Sequence, residues 1–392
     1  MENTAEVIIV GAGIHGSSLA FHLAERGVPP LVLEKTFLAA GATGRSSGLV
    51  RMYYDLEPEP RMAIASLPYF RNWPERVGGE CGFTRTGFIQ ILPRRDELRL
   101  RANVEMCQRA GIFSLVVSAA DVRRLAPVFR VDDFDHAAYE PESGYADPPA
   151  AAKAFMDSAR QRGARLVQDC RVTGIRVHGS RVMGVETTRG EFSAPVVVNA
   201  AGPWAPEIGR MVGLELPIKT LRHDVALFRR PPALGPVHPV VIDEPYLQYF
   251  RPETGRLMLV GLDDVNTLGE SPDGPTEYVK PNYIGQAVER ICRRVPVMDE
   301  GSLHSSYCGY EGNTADVRAI LDQAGPDGFY LDCGFSGMGF KIAPAVGKCM
   351  SELILDGQAR TVDLTPWRWD RFTPQRLAEL LASKDAYENI WH

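Results

Sequence analysis

The sequence predicts an α/β fold of two interleaved parts, one built on a parallel sheet with helices and the other on a mainly antiparallel sheet. A run of apolar residues at 7–10 leads through a glycine-rich turn into a helical segment and a second apolar strand at 31–33. Continuous apolar runs are typical of strands that are buried on both faces of a parallel sheet. The alternating runs at 87–92, 224–230 and 256–261 instead indicate an antiparallel sheet.

The turn after the first strand has the spacing of a dinucleotide-binding loop. Gly11, Gly13 and Gly16 follow at G-x-G-x-x-G spacing, and Glu34 ends the second strand. Glycines allow the tight turn, the approach of a pyrophosphate and close helix packing, while the carboxylate binds ribose hydroxyls. The acid favours FAD or NAD over NADP. We interpret His15, inside the loop, as a residue of the pocket rim or phosphate site, with a catalytic role as the alternative.

Three later stretches favour a flavin. The loop GATGRSSGLVR (41–51) supplies N–H and hydroxyl donors together with arginines. The segment VVVNAAGPWA (196–205) is a buried strand that runs into small residues, which permit close approach to a ligand. The stretch GFYLDCGFSGMGFKIAPAVG (328–347) predicts a strand, a glycine-rich turn and a helix over about 343–355. The start of that helix would stabilise negative charge on a reduced flavin.

Composition excludes several classes of function. The chain of 392 residues has a formal net charge of −6 with interspersed signs, which argues against a nucleic-acid interface. Its seven scattered cysteines contain no C-x-x-C pair, so we expect no disulfide framework, no metal site and a reducing compartment. The apolar run at 7–10 is too short to span a membrane, and no signal-peptide pattern precedes it. We therefore expect a cytoplasmic protein without a transmembrane segment.

Taken together, these motifs resemble those of the D-amino-acid-oxidase superfamily of flavoproteins. Within it the chain is similar to the sarcosine oxidase and glycine oxidase branch, which includes the β subunits of heteromeric sarcosine oxidases. The segments GYADP (144–148), CRVTGI (170–175) and NTAD (313–316) match in the same order, so the resemblance covers nearly the whole chain. It implies that FAD is the cofactor.

The resemblance also implies the domain organisation. A discontinuous FAD-binding, Rossmann-like domain is interleaved with a substrate domain whose antiparallel sheet roofs the flavin. The FAD-binding domain is expected at about 1–83, 149–219 and 325–392, and the roof domain at 84–148 and 220–324. The loop at 270–275, ESPDGP, is expected to be flexible.

Enzymes of this family oxidise an amine that carries a carboxylate on the neighbouring carbon. The hydride passes to flavin N5, and water hydrolyses the resulting imine. By the same resemblance Arg51 and Lys341 match a carboxylate clamp; the alternatives are a surface ion pair for Arg51 and contact with the flavin N1 and O2 region for Lys341. Tyr246 and Tyr249 are candidates for binding or shielding substrate, with aromatic core packing as the alternative.

Two positions depart from the family pattern. Sarcosine-type oxidases carry a roof lysine that assists oxygen reduction, and the alignment places Met258 there. The expected electron acceptor is therefore oxygen, a quinone, another flavin or a partner subunit, with a dehydrogenase as the alternative to an oxidase. Cys308 precedes the T-x-D motif one position out of register with the cysteine that links FAD covalently, so non-covalent FAD is expected. His223 is interpreted as a structural histidine, with an acid/base role as the alternative.

The resulting hypothesis is an FAD-dependent oxidoreductase of amino acids, with N-methyl, cyclic or other secondary amines preferred. The alternatives are an electron-relay subunit of a heteromeric amine dehydrogenase and an oxidase of 2-hydroxy acids. The predicted catalytic residues are Arg51, Lys341, Tyr249 and Met258. The predicted cofactor contacts are Gly11, Gly13, Ile14, His15, Gly16, Glu34, Lys35, Gly41, Thr43, Arg45, Ser46, Ser47, Gly48, Leu49, Val172, Ala200, Ala201, Gly202, Trp204, Gly309, Gly334, Ser336, Gly337, Met338, Gly339 and Lys341.

Overall fold

A computed structural model describes residues 3–235, 237–383 and 386–387 of the chain. The strands are β1 (Val7–Val10), β2 (Leu31–Leu33), β3 (Leu49–Val50), β4 (Phe88–Ile91), β5 (Leu115–Ser118), β6 (His136–Glu140), β7 (Gly144–Tyr145), β8 (Arg165–Val167), β9 (Val172–His178), β10 (Arg181–Thr187), β11 (Gly190–Ser193), β12 (Val196–Asn199), β13 (Ile218–Arg229), β14 (Val240–Asp243), β15 (Gln248–Glu253), β16 (Leu257–Leu262), β17 (Thr267–Leu268), β18 (Ser302–Thr314), β19 (Ile320–Gln323) and β20 (Phe329–Cys333). The α-helices are α1 (Ile14–Glu25), α2 (Ala42–Arg45), α3 (Glu59–Arg71), α4 (Trp73–Arg76), α5 (Glu97–Arg109), α6 (Ala119–Leu125), α7 (Pro148–Gln161), α8 (Ala205–Arg210), α9 (Tyr283–Arg294), α10 (Gly339–Asp356) and α11 (Pro374–Ala382).

A six-stranded sheet forms the first part of the fold, in the order β19-β20-β12-β1-β2-β8. Its strands pair in parallel except β19, which is antiparallel to β20. All four residues of β1 are buried because helices cover one face and the small sheet β11-β10-β9 covers the other. We call this six-stranded sheet the parallel sheet.

A second sheet of nine strands, which we call the roof sheet, has the order β17-β13-β16-β15-β14-β4-β6-β5, with β18 also paired to β13. All of its pairs are antiparallel except β14 with β4. Strands from two separate stretches of the chain therefore share one sheet, and segments of the parallel sheet lie between them in sequence. The predicted α/β class with an interleaved, mainly antiparallel sheet is confirmed.

The predicted domain boundary at 324/325 falls after β19, which pairs with β20 in the parallel sheet. Strand β13 begins at Ile218, two residues before the predicted boundary at 219/220, and its first residues pair with the end of β18 at Thr314. The division of the chain into two domains at the stated residues remains a prediction.

Helix α10 begins four residues before its predicted start at 343, and Pro344 lies inside it. A proline there removes one main-chain hydrogen bond. Side chains of neighbouring helices bond the carbonyls beside it: Ser18 Oγ donates to Ala343 O at 2.8 Å, and Ser66 Oγ donates to Ile342 O at 3.1 Å. Lys341 consequently lies in the first turn of α10.

No helix within the described ranges combines the length and the hydropathy that crossing a membrane would require.

Candidate active site

A cavity of about 510 Å³ lies between the carboxyl ends of the central strands of the parallel sheet and the inner face of the roof sheet. Ligand sites of open parallel sheets form at these strand ends. The following predicted residues line the cavity: Gly11, Gly13, Ile14, His15, Glu34, Lys35, Gly41, Thr43, Arg45, Ser46, Ser47, Leu49, Arg51, Val172, Ala200, Ala201, Gly202, Trp204, Tyr249, Gly309, Gly334, Ser336, Gly337, Gly339 and Lys341. Four predicted residues do not line it, namely Gly16, Gly48, Met258 and Met338.

The glycine loop needs its glycines for steric reasons. Gly11 has φ +108°, and a Cβ atom there would lie 2.5 Å from Ala200 O. A Cβ atom at Gly16 would lie 2.0 Å from Gly11 O, so Gly16 supports the loop from behind instead of facing the cavity. Thr43 Oγ1 accepts a hydrogen bond from the Ile14 N–H at 2.9 Å, which ties the start of α1 to the loop at 41–51.

Glu34 follows β2 and lines one end of the cavity. Its carboxylate accepts hydrogen bonds from the Ala12 N–H and the Thr36 N–H, both at 2.9 Å. The Cys170 N–H donates to the Glu34 main-chain oxygen at 2.9 Å, which brings the segment 170–172 to the same end. The carboxylate thus orders the glycine loop in addition to facing the cavity, an arrangement that suits an adenosine ribose.

The loop at 270–275 contacts two side chains of the wall at this end of the cavity. Asp273 pairs with Lys35 Nζ at 2.7 Å and accepts a hydrogen bond from Trp204 Nε1 at 3.0 Å. The Lys35 ammonium also lies 3.6 Å from the centroid of the Trp204 ring. The loop therefore links a residue of the roof side to two residues of the parallel-sheet side.

The remaining walls come from strand β18 and from the glycine-rich turns around 41–48 and 334–339. Gly309 of β18 is packed so closely that a Cβ atom there would lie 2.6 Å from Arg45 Cβ. Gly48 has φ +68°, and a Cβ atom there would meet Ala146 O at 2.3 Å, so this glycine serves a turn and not the cavity. In the second turn Ser336 Oγ accepts a hydrogen bond from the Thr314 N–H at 3.1 Å. Met338 is buried in the helical core instead.

Two buried polar side chains on the cavity wall have no hydrogen-bond partner among the described residues. Both ring nitrogens of His15 and both carboxylate oxygens of Asp332 are in this state, and His15 Nδ1 lies 3.8 Å from Asp332 Oδ1. His15 stacks on Phe335 with ring centroids 3.4 Å apart. Burial lowers the pKa of His15 to about 3 and raises the pKa of Asp332 to about 7. Buried groups of this kind are rare, and a ligand rich in hydroxyl and phosphate oxygens fits them.

Two cations meet over one aromatic ring at the other end of the cavity. Arg51 is 3% exposed and Lys341 6% exposed. The Arg51 guanidinium lies 4.8 Å and the Lys341 ammonium 5.5 Å from the centroid of the Tyr54 ring. Burial and the nearby Arg51 charge lower the pKa of Lys341 well below its ordinary value, while Glu311 opposes the shift. Neither cation makes an ion pair with a described carboxylate, so this pair is a candidate site for an anionic ligand.

The roof contributes three side chains above this cation pair. Tyr249 of β15 lines the cavity and stacks on His223 of β13, with ring centroids 5.6 Å apart. Burial lowers the pKa of His223 to about 4, so the ring is neutral near pH 7. Glu311 of β18 also lines the cavity, and sequence reasoning missed it. The alternation of side chains along a strand indicates its position, because Glu311 lies two residues after the predicted contact Gly309 and so points to the same face.

Met258 lies on the wrong face of the roof sheet for the predicted role. It is fully buried in a core cluster with Phe250 and Val260 on the outer face of the sheet. Its neighbour Leu259 packs with Tyr249 on the inner face. Because successive strand residues point to opposite faces, an alignment error of one residue reverses the assignment.

Tyr246 is likewise not in the cavity wall, since its ring stacks on the Arg294 guanidinium at 4.8 Å. The thiol of Cys308 also faces away from the cavity, donating to Pro275 O at 3.2 Å, and burial raises its pKa. These two side chains are held by other contacts.

Comparisons with known proteins place this site in a family. A family model described as FAD dependent oxidoreductase matches residues 6–353. Sarcosine oxidase subunit beta from an Arthrobacter species is 27% identical over 386 residues, covering 95% of this chain and 92% of that protein. The mitochondrial sarcosine dehydrogenase of Homo sapiens is 29% identical over 372 residues, covering 91% of this chain and 40% of that protein. The chain spans about two-fifths of the length of the first curated relatives that it matches.

Solved structures agree in fold. L-proline dehydrogenase from P. horikoshii superposes with a TM-score of 0.88 at 25% identity, covering 95% of this chain and 99% of that one. Glycine oxidase from Geobacillus kaustophilus gives 0.84 at 23% identity, covering 95% and 100%, which is a likeness of fold. The predicted resemblance and the predicted cofactor class are confirmed, and the chain belongs to the family of FAD dependent oxidoreductases.

Proposed function

We propose that the protein oxidises the C–N bond of an amino acid, with an N-methyl, cyclic or other secondary amine preferred, and yields an imine that water hydrolyses. The observation that carries this proposal is the buried pair of cations, Arg51 and Lys341, beside the roof of the cavity. A relative named sarcosine dehydrogenase and a structural neighbour named L-proline dehydrogenase support the choice of amine.

FAD, when bound, supplies the acceptor for the hydride. Its adenosine would be held at Glu34 and Val172, its phosphates at the glycine loop and its flavin between the start of α10 and the roof. Non-covalent binding is supported by Cys308, whose thiol donates to Pro275 on the face of β18 away from the cavity. The hydroxyls and N–H groups of this cavity suit a cofactor held by hydrogen bonds.

The chain's own contribution is to position the substrate. The planar guanidinium of Arg51 donates from Nη1 to the Tyr53 main-chain oxygen, its remaining N–H groups are donors for a carboxylate, and the Lys341 ammonium adds a compact charge. Arrival of the carboxylate supplies the negative charge that this buried pair lacks, which favours the protonated form of Lys341. Tyr249 and His223 close the site from above and exclude water from the reacting C–H bond.

A relay role within a heteromeric dehydrogenase is the second candidate. The lysines in the described part of the cavity wall are Lys35 and Lys341, and both come from the parallel-sheet side. The absence of a roof lysine from the described cavity wall favours an acceptor other than oxygen, such as a quinone or a partner subunit. The relative named sarcosine oxidase subunit beta supports a partner.

Anaerobic mixing of the FAD-bound protein with N-methyl, cyclic and D-amino acids tests the proposal. We expect N-methylglycine or proline to bleach the flavin, and slow recolouring in air will indicate a dehydrogenase. Failure of every amino acid to bleach a fully FAD-loaded protein contradicts the proposal. Bleaching only by 2-hydroxy acids replaces it with the alternative substrate class, and bleaching only with a copurifying polypeptide supports the relay role.

A further inference from the structure

Glu311 is a carboxylate that the proposed chemistry has not yet used. It lies on β18, the long roof strand that pairs with β13, and its side chain faces the cavity. Its oxygen lies 3.3 Å from the position that a Cβ atom would take at Gly337, so it stands directly across from the turn that leads into α10. The carboxylate makes no ion pair or hydrogen bond within the described parts of the chain.

The other carboxylates of the described cavity wall lie in different surroundings. Glu34 accepts two main-chain hydrogen bonds, and Glu207 pairs with Arg171 at 3.2 Å. Asp332 lies beside His15 next to the glycine loop. Glu311 is therefore the carboxylate of this wall that stands near Lys341, and Lys341 is the charged group that most favours its ionised form.

This part of the cavity wall carries charges of both signs. Arg51 and Lys341 lie near the Tyr54 ring, and Glu311 on β18 lies close enough to Lys341 for their charges to interact. An amino acid in its common form carries a negative carboxylate and a positive amine on neighbouring atoms. Such a molecule placed against this wall meets an opposite charge at each end, whereas a simple carboxylate meets only the cations.

We propose that Glu311 binds the positively charged amine of the substrate, so that the site selects zwitterionic amino acids over carboxylates that lack an amine. This inference rests on the proposed function, since it assumes that Arg51 and Lys341 hold the carboxylate. The inference also predicts that 2-hydroxy acids bind weakly, because they place a neutral hydroxyl where Glu311 requires a cation.

The titratable and charged groups that share this part of the cavity wall with Glu311 come from four parts of the fold. They are Lys341 at the start of α10, Arg51 after β3, Tyr249 on β15 and His223 on β13. Of these, Lys341 and Tyr249 interact electrostatically with Glu311. His223 is neutral near pH 7 and so does not compete as a charged partner. Burial raises the pKa of Glu311 to about 7, with Lys341 opposing the shift, and a bound cation favours the ionised form further.

Two ligands of the same shape test this role without turnover. Trimethylammonioacetate carries a quaternary ammonium that cannot be oxidised, and 3,3-dimethylbutyrate replaces its nitrogen by carbon. Their dissociation constants are measured on the oxidised, FAD-bound protein from the change in flavin absorbance. We expect the cationic ligand to bind at least about tenfold more tightly to the unchanged protein, because a desolvated charge pair separates the two ligands.

The variant Glu311→Gln should bind both ligands equally while keeping its affinity for 3,3-dimethylbutyrate. Glu191→Gln, which removes an exposed carboxylate of β11, should keep the tenfold preference and controls for net charge. A preference that survives in Glu311→Gln overturns the inference. If that variant loses FAD, the pH dependence of ligand binding by the unchanged protein tests the inference instead. The preference for the cationic ligand should decline at pH values below the raised pKa of Glu311. A preference that does not change with pH overturns the inference.

The experiment separates this inference from the proposed function. Equal binding of both ligands by the unchanged protein, with loss of both in Arg51→Ala, removes Glu311 from recognition and leaves the carboxylate clamp standing. Absence of binding by either ligand, together with bleaching by no amino acid, rejects the proposed function itself.

Discussion

At both ends of the cavity burial shifts the pKa values of titratable groups toward the neutral form, and the two ends differ at Arg51. Beside the glycine loop, His15 and Asp332 have pKa values of about 3 and about 7, so the histidine is neutral and the acid is close to half protonated near pH 7. Beside Tyr54, Arg51 and Lys341 lie together, and the guanidinium keeps its charge at any ordinary pH. Burial alone drives acids and bases toward neutrality, whereas an arginine fixes charge where a ligand must be gripped.

The glycine-loop end depends on main-chain geometry, and Gly11→Ala should break it most completely. The added methyl group would lie 2.5 Å from Ala200 O at a residue with φ +108°. We expect loss of most bound FAD, measured as the ratio of flavin to protein absorbance after purification. Gly27→Ala is the matched control, because Gly27 has φ +80° but no atom within 4 Å of the added carbon. Full FAD content in Gly11→Ala would contradict the assignment of the loop.

The cation end depends on a side chain, and Arg51→Ala should weaken it strongly but leave FAD bound. Loss of a bidentate charge pair costs about 2–3 kcal/mol, or about 30- to 150-fold in the dissociation constant of a carboxylate. The concentration dependence of anaerobic flavin reduction by N-methylglycine measures this change. Arg181→Ala, at an arginine whose side chain is 79% exposed, should behave as the unchanged protein. Equal effects of the two substitutions would remove Arg51 from the clamp.

The raised pKa of Asp332 makes the free energy of unfolding depend on pH, which gives a measurement at the glycine-loop end. Its pKa is raised from 3.8 to about 7 by burial, so the folded state holds a proton that the unfolded chain has released. Stability from this group is fully present below pH 3.8, declines as the pH rises toward about 7 and is absent above that range.

Asp332→Asn should therefore raise the free energy of unfolding of the FAD-free protein at pH 8 by about 1–3 kcal/mol and change it little at pH 4. Denaturant titrations at both pH values measure the difference. The same gain at both values would show that Asp332 is not protonated in the folded state.

The smallest effect is expected at Met258, on the outer face of the roof. Met258→Leu conserves volume and should cost less than about 1.5 kcal/mol of stability. We expect the rate at which air recolours the reduced flavin to stay unchanged, because Leu259 and not Met258 faces the inner side of the sheet. A changed recolouring rate at normal stability would restore Met258 to the acceptor site.

Residues that backbone geometry requires at a fixed position were predicted from the sequence. Residues whose role depends on which face of a sheet lines the cavity were not. Gly11, Gly13 and Glu34 were predictable because a tight turn, a close approach and a strand end each leave a mark at fixed spacing. Met258 was not, since a strand tells which residues share a face but not which face is inside, whereas Glu311 shares a face with the predicted contact Gly309 and was overlooked. The start of α10 was misplaced because neighbouring helices supply hydrogen bonds around Pro344, a tertiary effect without a local signal.

The contacts of Asp273 bear on how firmly the loop at 270–275 is held. Its bridge to Lys35 and Trp204 is partly exposed, and such pairs contribute only about 0–1 kcal/mol each. These contacts of Asp273 can therefore break without unfolding either sheet, while the rest of the loop stays attached to the roof through Glu270, which pairs with Arg222 at 3.3 Å, and Pro275, whose carbonyl accepts a hydrogen bond from Tyr310 Oη at 3.2 Å.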